Sequence, residues 1–281
     1  MELALPCERW GRAGAPAVLM LHGFTGNRGS WRHLEPLLGS DLQAVAVDLP
    51  GHGDAPLPSA PGPRGFEEAL AALERVVDQA GAGPVAVLGY SQGARLALGL
   101  ALRAPGKVSR LILESVNPGL NVPRERRARE RDDEALASKI VRGGVDRFLR
   151  TWEALPLFQG LRQLPAGERE ALHRRRASAT PEGLAGALRA LGLASQPSYW
   201  DHLPRLRLPV LLLTGARDRK FTELSRRAVR ELPLAWHRAF EGCHHAPHLE
   251  SPAAYAAEVR GFLDVPWSES ERGRRLEELA R

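Results

Sequence analysis

Short apolar runs alternate along the chain with longer stretches of helical periodicity. The apolar runs end at glycine, proline or a charged residue, and each is the length of a buried β-strand. Strands are predicted over residues 17–21, 44–48, 85–89, 111–114, 209–214 and 235–240, and helices over 31–38, 66–79, 92–103, 223–231 and after 252. Because strands alternate with helices, the pattern predicts an α/β fold with a mostly parallel sheet of about eight strands flanked by helices.

The alternation is interrupted between residues 117 and 196, where charged amphipathic helical segments follow one another and no strand is predicted. We expect this segment to be a helical cap inserted at the carboxyl edge of the sheet, where ligands bind in such folds. Residues 1–116 and 197–281 would then form the core. The charged tail after Pro266 is predicted to be a peripheral helix.

Several classes of protein are disfavoured by the composition. No apolar run reaches 18 residues, so no membrane span is expected. The first 14 residues lack a basic segment followed by an apolar one, so no secretory signal is predicted. Cys7 and Cys243 are the only cysteines, which is typical of the reducing cytoplasm.

The positive charge is concentrated in the predicted cap. The chain has a formal net charge of +6, and residues 117–180 hold 13 Arg and one Lys against nine Asp and Glu, a net charge of +5. No lysine-rich tail accompanies this region, so nucleic acid is not the expected partner. Two explanations remain: a general preference for arginine over lysine, or a site for a small substrate with several negative charges.

The clearest chemical motif lies between a predicted strand and a predicted helix. Residues 89–93 read Gly-Tyr-Ser-Gln-Gly and match G-x-S-x-G, the nucleophile elbow that lifts a serine hydroxyl above the sheet. The helix N-terminus behind Ser91 favours negative charge on its oxygen. Ser91 is therefore the candidate nucleophile or base.

A serine of this kind needs a base, and the base needs an orienting acid. Asp218 follows one predicted strand and His245 follows the next. Each could instead be an ordinary loop residue. The order Ser, Asp, His, with each residue at a strand's carboxyl end, is that of α/β-hydrolases, and the sequence resembles that family.

The choice of histidine and of oxyanion donors depends on the loops. His22, His244 and His248 also lie near the expected site, but His245 precedes a run that resembles the final loop of the family. His244 stands where that loop usually has glycine. The backbone N–H groups of Gln92 and Phe24 are the candidate oxyanion hole. The histidines do not form a metal-ligand set, so no metal or other cofactor is expected.

More specific motifs resemble 2-succinyl-6-hydroxy-2,4-cyclohexadiene-1-carboxylate (SHCHC) synthases of menaquinone (vitamin K2) biosynthesis, over residues 19–252. These motifs are Gly-Tyr-Ser-Gln-Gly-Ala-Arg at 89–95, Glu-Ser-Val-Asn-Pro-Gly-Leu at 114–120, Leu-Pro-Leu-Phe at 155–158, Ser-Gln-Pro at 195–197 and Arg-Asp-Arg-Lys-Phe at 217–221. The resemblance implies that Arg95, Arg129 and Arg176 bind substrate carboxylates and that Tyr90 and Trp152 line the pocket. For Arg129 an alternative is pairing with Glu125 or Asp133, four residues away on a solvated helix.

The resemblance also implies a reaction. Ser91, activated by His245, would eliminate pyruvate from 2-succinyl-5-enolpyruvyl-6-hydroxy-3-cyclohexene-1-carboxylate. The same residues could instead hydrolyse an ester, a thioester or a C–C bond of a small anionic substrate. A binding protein on a catalytically inactive hydrolase fold is the third possibility, and the complete triad disfavours it.

Overall fold

The computed structural model of the chain describes residues 2–81 and 83–265. Within these residues, seven strands form one sheet. The strand order is β1-β3-β2-β4-β5-β6-β7. The strands are β1 Cys7–Gly11, β2 Ala17–Leu21, β3 Gln43–Val47, β4 Val85–Tyr90, β5 Val108–Glu114, β6 Val210–Gly215 and β7 Ala235–Phe240. The α-helices are α1 Glu35–Leu38, α2 Gly62–Ala80, α3 Gln92–Arg103, α4 Pro123–Gly143, α5 Val145–Trp152, α6 Ala166–Ala177, α7 Pro181–Leu191, α8 Arg219–Glu231, α9 Pro247–Glu250 and α10 Pro252–Asp264.

Both faces of the sheet are buried beneath helices. In β2, Leu19 and Leu21 pack into the cluster that holds the apolar faces of α2 and α3, whereas Val18 and Met20 pack into the cluster that holds α10. This two-sided burial explains why the central strands are continuous apolar runs rather than alternating ones. The predicted α/β architecture with a mostly parallel sheet is therefore confirmed.

Two details differ from the sequence prediction. The described sheet has seven strands rather than about eight, and its edge strand β1, antiparallel to β3, was not predicted. Only Trp10 of β1 is buried, so the strand lacks the apolar run of its neighbours. The predicted helix at 31–38 is a 3-10 helix, Arg28–Leu34, followed by the short α1.

Helices α4 to α7 follow β5 and contribute no strand to the described part of the sheet. They have a small apolar cluster of their own, which includes Ile140, Phe148 and Leu184. Arg126 ties the two ends of this segment together, because its guanidinium donates to the carbonyl oxygens of Leu120, Ala194 and Gln196 at 3.0, 2.7 and 2.6 Å. The assignment of 117–196 as a separate cap domain stays a prediction.

No helix among the described residues is long and apolar enough to cross a membrane. The same residues contain no cluster of three or more histidine, cysteine or acidic side chains that could hold a metal ion. Cys7 is exposed, Cys243 is buried, and both are free thiols. The helix predicted after Pro266 lies outside the described residues.

Candidate active site

Ser91 sits in a strained turn between β4 and α3. Its φ is +51°, a left-handed value that is rare for a residue with a side chain. The turn closes only because its flanking residues are glycines: a Cβ on Gly89 would lie 2.5 Å from the carbonyl oxygen of Gly93, and a Cβ on Gly93 would lie 2.1 Å from that of Leu21. The structure therefore has the strand, turn and helix that the sequence motif predicts.

Ser91, His245 and Asp218 form a hydrogen-bonded chain. Nδ1 of His245 lies 2.6 Å from Oδ2 of Asp218, and Nε2 lies 3.2 Å from Oγ of Ser91. In a neutral imidazole, Nδ1–H donates to the carboxylate and Nε2 accepts from the hydroxyl. His245 and Asp218 are buried. This geometry can make the serine oxygen a nucleophile or a base.

The backbone around His245 is held on several sides. The buried carboxylate of Glu250 accepts from the N–H of His244 at 2.7 Å and from the N–H of Ala246 at 3.1 Å. The hydroxyl of Ser115 donates to the carbonyl oxygen of His245 at 3.0 Å. His244 turns its ring towards Glu250, with Nδ1 3.3 Å from Oε2, so the ring that reaches Ser91 belongs to His245.

His22 has a structural role in the loop after β2. Its Nδ1–H donates to the carbonyl oxygen of Gly23 at 2.8 Å, and its Nε2 accepts from the N–H of Leu49 at 3.0 Å. Burial lowers the pKa of His22 to about 4, which keeps the ring neutral. His22 therefore shapes the loop that carries Phe24.

His248 belongs to a separate buried pair behind Tyr90. Its Nδ1 lies 2.8 Å from Oε1 of Glu114, and its ring packs on Tyr90 with centroids 4.6 Å apart. Burial raises the pKa of Glu114 to about 8 and lowers that of His248 to about 3. The pair is therefore mainly uncharged near neutral pH.

A cavity of about 250 Å³ opens onto Ser91 and His245, and we call it the inner cavity. Phe24 and Gln92, whose backbone N–H groups are the candidate oxyanion hole, line it. Tyr90 and Trp152, the predicted aromatic lining, do so as well. Trp152 contacts the oxyanion loop directly, since its ring lies 5.5 Å from that of Phe24 between centroids.

Three cations line the inner cavity: Arg95, Arg129 and Lys220. The guanidinium of Arg95 donates only to neutral acceptors in the described residues, Oε1 of Gln196 at 3.2 Å and the carbonyl oxygen of Leu191 at 2.7 Å. Burial, and secondarily the positive charge of Arg129, lowers the pKa of Arg95 to about 10. The side chain is thus still protonated at neutral pH and can accept a carboxylate partner.

Arg129 already has a carboxylate partner. Its Nε and one terminal nitrogen contact the two oxygens of Asp133 at 3.0 and 2.8 Å. Asp133 is buried and lies four residues further along α4. The helical pairing considered from the sequence therefore occurs, and Arg129 faces the inner cavity at the same time.

The comparisons with known proteins agree with this architecture. The alpha/beta hydrolase family model matches residues 18–258. The chain belongs to the α/β-hydrolase family. A putative SHCHC synthase of Bacillus subtilis is 34% identical over 253 residues, which cover 90% of this chain and 92% of that protein. The SHCHC synthase of Serratia proteamaculans is 33% identical over 265 residues, covering 94% and 99%.

Solved structures extend the comparison. MenH from S. aureus matches with a TM-score of 0.86 and 27% identity, covering 92% of this chain and 97% of that one. A malate-bound esterase from Thermogutta terrifontis matches with a TM-score of 0.74 and 25% identity, covering 92% of both chains. The resemblance to SHCHC synthases is thus confirmed, and the chain is an enzyme of the α/β-hydrolase superfamily similar to them.

Arg176 is not among the residues that line the inner cavity, and its carboxylate-binding role stays a prediction. Its buried side chain lines a small neighbouring space together with Phe24 and Tyr90, which also line the inner cavity. It pairs with Glu153 at 3.1 Å and lies 5.5 Å above the ring of Phe158. The sequence prediction chose Arg176 for its spacing from residues 196–197. Successive residues of a helix point about 100° apart, so that spacing could not decide which of the three consecutive arginines at 174–176 faces the inner cavity.

Other residues of the site were not predicted. Lys220 and Phe221 line the inner cavity, and the ring of Phe221 lies 4.6 Å from that of His245. The Arg-Asp-Arg-Lys-Phe motif contained both, but nothing in the sequence assigned them a role. Glu250 and Ser115 act on the backbone of His245, a type of contact that leaves no spacing signal in the sequence.

Proposed function

We propose that this enzyme is an SHCHC synthase that eliminates pyruvate from 2-succinyl-5-enolpyruvyl-6-hydroxy-3-cyclohexene-1-carboxylate in menaquinone biosynthesis. The observation that carries the proposal is a single cavity that combines the Ser91–His245 pair with Arg95, Arg129 and Lys220. The substrate has three carboxylates, and charge-assisted hydrogen bonds from these cations would bind them.

In the proposed mechanism Ser91 and His245 act together as the general base. Oγ of Ser91 removes the proton from the ring carbon beside the succinyl ketone while its own proton passes to Nε2 of His245. The electron pair of the C–H bond forms an enolate, whose oxygen accepts from the N–H groups of Phe24 and Gln92. The enolate then re-forms the ketone as a double bond forms between C2 and C3 of the ring, the C3–C4 double bond shifts to C4–C5, and the C5–O bond to the enolpyruvyl group breaks. The leaving group takes up at its methylene carbon a proton equivalent to the one now held by His245 and becomes pyruvate, which leaves the imidazole neutral again.

Asp218 serves this mechanism by holding the imidazole of His245 in the required tautomer. Its hydrogen bond of 2.6 Å keeps Nδ1 protonated, so that Nε2 is free to accept the proton of Ser91. The carboxylate also stabilises the imidazolium that forms when the proton is transferred.

Lys220, rather than Arg176, is the third cation of the proposed carboxylate-binding set. It lines the inner cavity, and no carboxylate of the described residues lies within ion-pair distance of it. Arg176 is instead paired with Glu153, outside the inner cavity. We therefore assign the three carboxylate-binding roles to Arg95, Arg129 and Lys220.

The alternative is a serine hydrolase, because the same hydrogen-bonded residues can attack an ester carbonyl and the malate-bound esterase shares the fold. Supplying the enolpyruvyl substrate and following pyruvate release tests the proposal. We expect pyruvate at the same rate as the new ring diene and no burst with activated esters. Ser91→Ala should abolish turnover. Fast ester hydrolysis with a burst and no pyruvate would establish the hydrolase instead.

A cytoplasmic location and the absence of a nucleic-acid partner stay predictions. They accord with a small polycarboxylate as the binding partner.

A further inference from the structure

A second and larger cavity lies in the helical segment between α4 and α5. Its volume is about 600 Å³, more than twice that of the inner cavity, and we call it the outer cavity. Its walls are apolar side chains, Leu136, Phe148, Trp152 and Leu155. Leu155 is 37% exposed although it is a large apolar residue. The proposed reaction makes no use of this space.

Three cations line the outer cavity and no acidic residue does. They are Lys139, Arg142 and Arg147, all exposed. Within residues 2–81 and 83–265 no carboxylate lies within ion-pair distance of them, whereas Arg129, Arg174 and Arg189 of the neighbouring surface each have one. Apolar walls beside unpaired cations are complementary to a ligand with an apolar body and a negative group.

The outer cavity shares two wall residues, Trp152 and Leu136, with the inner cavity. Trp152 packs on Phe158, with centroids 5.4 Å apart, and Phe158 lies 6.0 Å from the ring of His245. Packed aromatic rings therefore connect Trp152, a wall of the outer cavity, to the ring of His245.

We propose that the outer cavity is a second ligand site, for an amphipathic carboxylate, and that its occupancy alters the reactivity of Ser91. The ligand's apolar body packs on Trp152 and Phe148, and its carboxylate pairs with Lys139, Arg142 and Arg147. The three cations of the outer cavity take no part in the proposed lyase reaction, whereas Trp152 and Leu136 are walls of both cavities.

Binding of decanoate, measured by calorimetry on the free enzyme, tests the site. The triple variant Lys139→Gln, Arg142→Gln, Arg147→Gln should weaken binding by about tenfold or more, because it removes the charge-assisted contacts. The matched control is Arg124→Gln, Arg131→Gln, Arg150→Gln, which removes the same charge from exposed positions of the same two helices. The control should change affinity by less than about twofold. Decan-1-ol, which lacks the charge, should bind more weakly than decanoate.

The effect on Ser91 is measured with a fluorophosphonate that labels activated serines and needs no knowledge of the substrate. Decanoate should change the labelling rate of the wild type and of the control variant, but not that of the lining variant. The proposal is wrong if decanoate does not bind, if both triple variants lose affinity equally, or if labelling is unaffected at saturation. Since no step uses the lyase substrate, failure of the lyase assay leaves this result standing.

Discussion

The three arginines singled out from the sequence should differ in their importance, and alanine variants measure the difference. Arg95 has only neutral partners in the described residues, Arg129 is paired with Asp133, and Arg176 is paired with Glu153 outside the inner cavity. A substrate carboxylate gains most from a guanidinium that has no carboxylate to give up. We therefore expect the loss of kcat/KM to be largest for Arg95→Ala, smaller for Arg129→Ala and smallest for Arg176→Ala.

The magnitudes follow from the hydrogen bonds that each arginine can offer. A hydrogen bond to a charged group contributes about 1.5–3 kcal/mol, so Arg95→Ala should lower kcat/KM by about ten- to over a hundredfold. Arg129 must exchange Asp133 for the substrate, so its net contribution should be about tenfold or less. Arg95→Lys should recover only part of the loss, because an ammonium cannot bind a carboxylate through two parallel hydrogen bonds.

Pyruvate release, coupled to lactate dehydrogenase, gives kcat/KM for each variant. Hydrolysis of a small neutral ester by the same variants controls for damage to Ser91 and His245, and Tm controls for folding. The reasoning is refuted if Arg176→Ala, with an unchanged Tm, lowers kcat/KM more than Arg95→Ala does.

Three further predictions address single residues. Glu250→Gln should lower kcat by about tenfold or more, since one of the two backbone N–H groups flanking His245 loses its acceptor; an unchanged kcat would show that Glu250 does not position the histidine. Lys220→Gln should raise KM for the tricarboxylate, whereas Arg219→Gln, at the exposed neighbouring position, should not. Equal increases in KM would indicate a general effect of the protein's positive charge. Burial raises the pKa of Glu114 to about 8, so the folded protein retains a proton that the unfolded chain releases. The free energy of unfolding should therefore fall as pH rises from 6.5 to 8, by up to about 1.4 kcal/mol per pH unit. Glu114→Gln should flatten the Tm curve in that range, and an identical slope would contradict the assignment.

The sequence predicted the bounds of two strands that differ in burial. Strand β2, in which four of five residues are buried, has the predicted bounds 17–21, and the edge strand β7, in which only Ala235 and Phe240 are buried, has the predicted bounds 235–240. Ser91, Asp218 and His245 could be placed because each follows a strand at the same edge of the sheet. Strand β1 could not be predicted, because an edge strand with one buried residue has no apolar run. Glu250 could not be predicted either, because backbone N–H groups are its partners.

The position of Asp133 bears on how a hydrolase fold could select a polycarboxylate. Its buried carboxylate neutralises Arg129, whose positive charge adds to the effect of burial in lowering the pKa of Arg95. Without Asp133 the two guanidinium groups would share a partly buried cavity with no counter-charge, which would destabilise the fold in the absence of substrate. A neutral ester offers no replacement for Asp133 and leaves this arrangement unchanged. A substrate with several carboxylates can pair with Arg95 directly and compete with Asp133 for Arg129, so the same contacts that keep the free enzyme stable favour the anionic substrate over neutral ones.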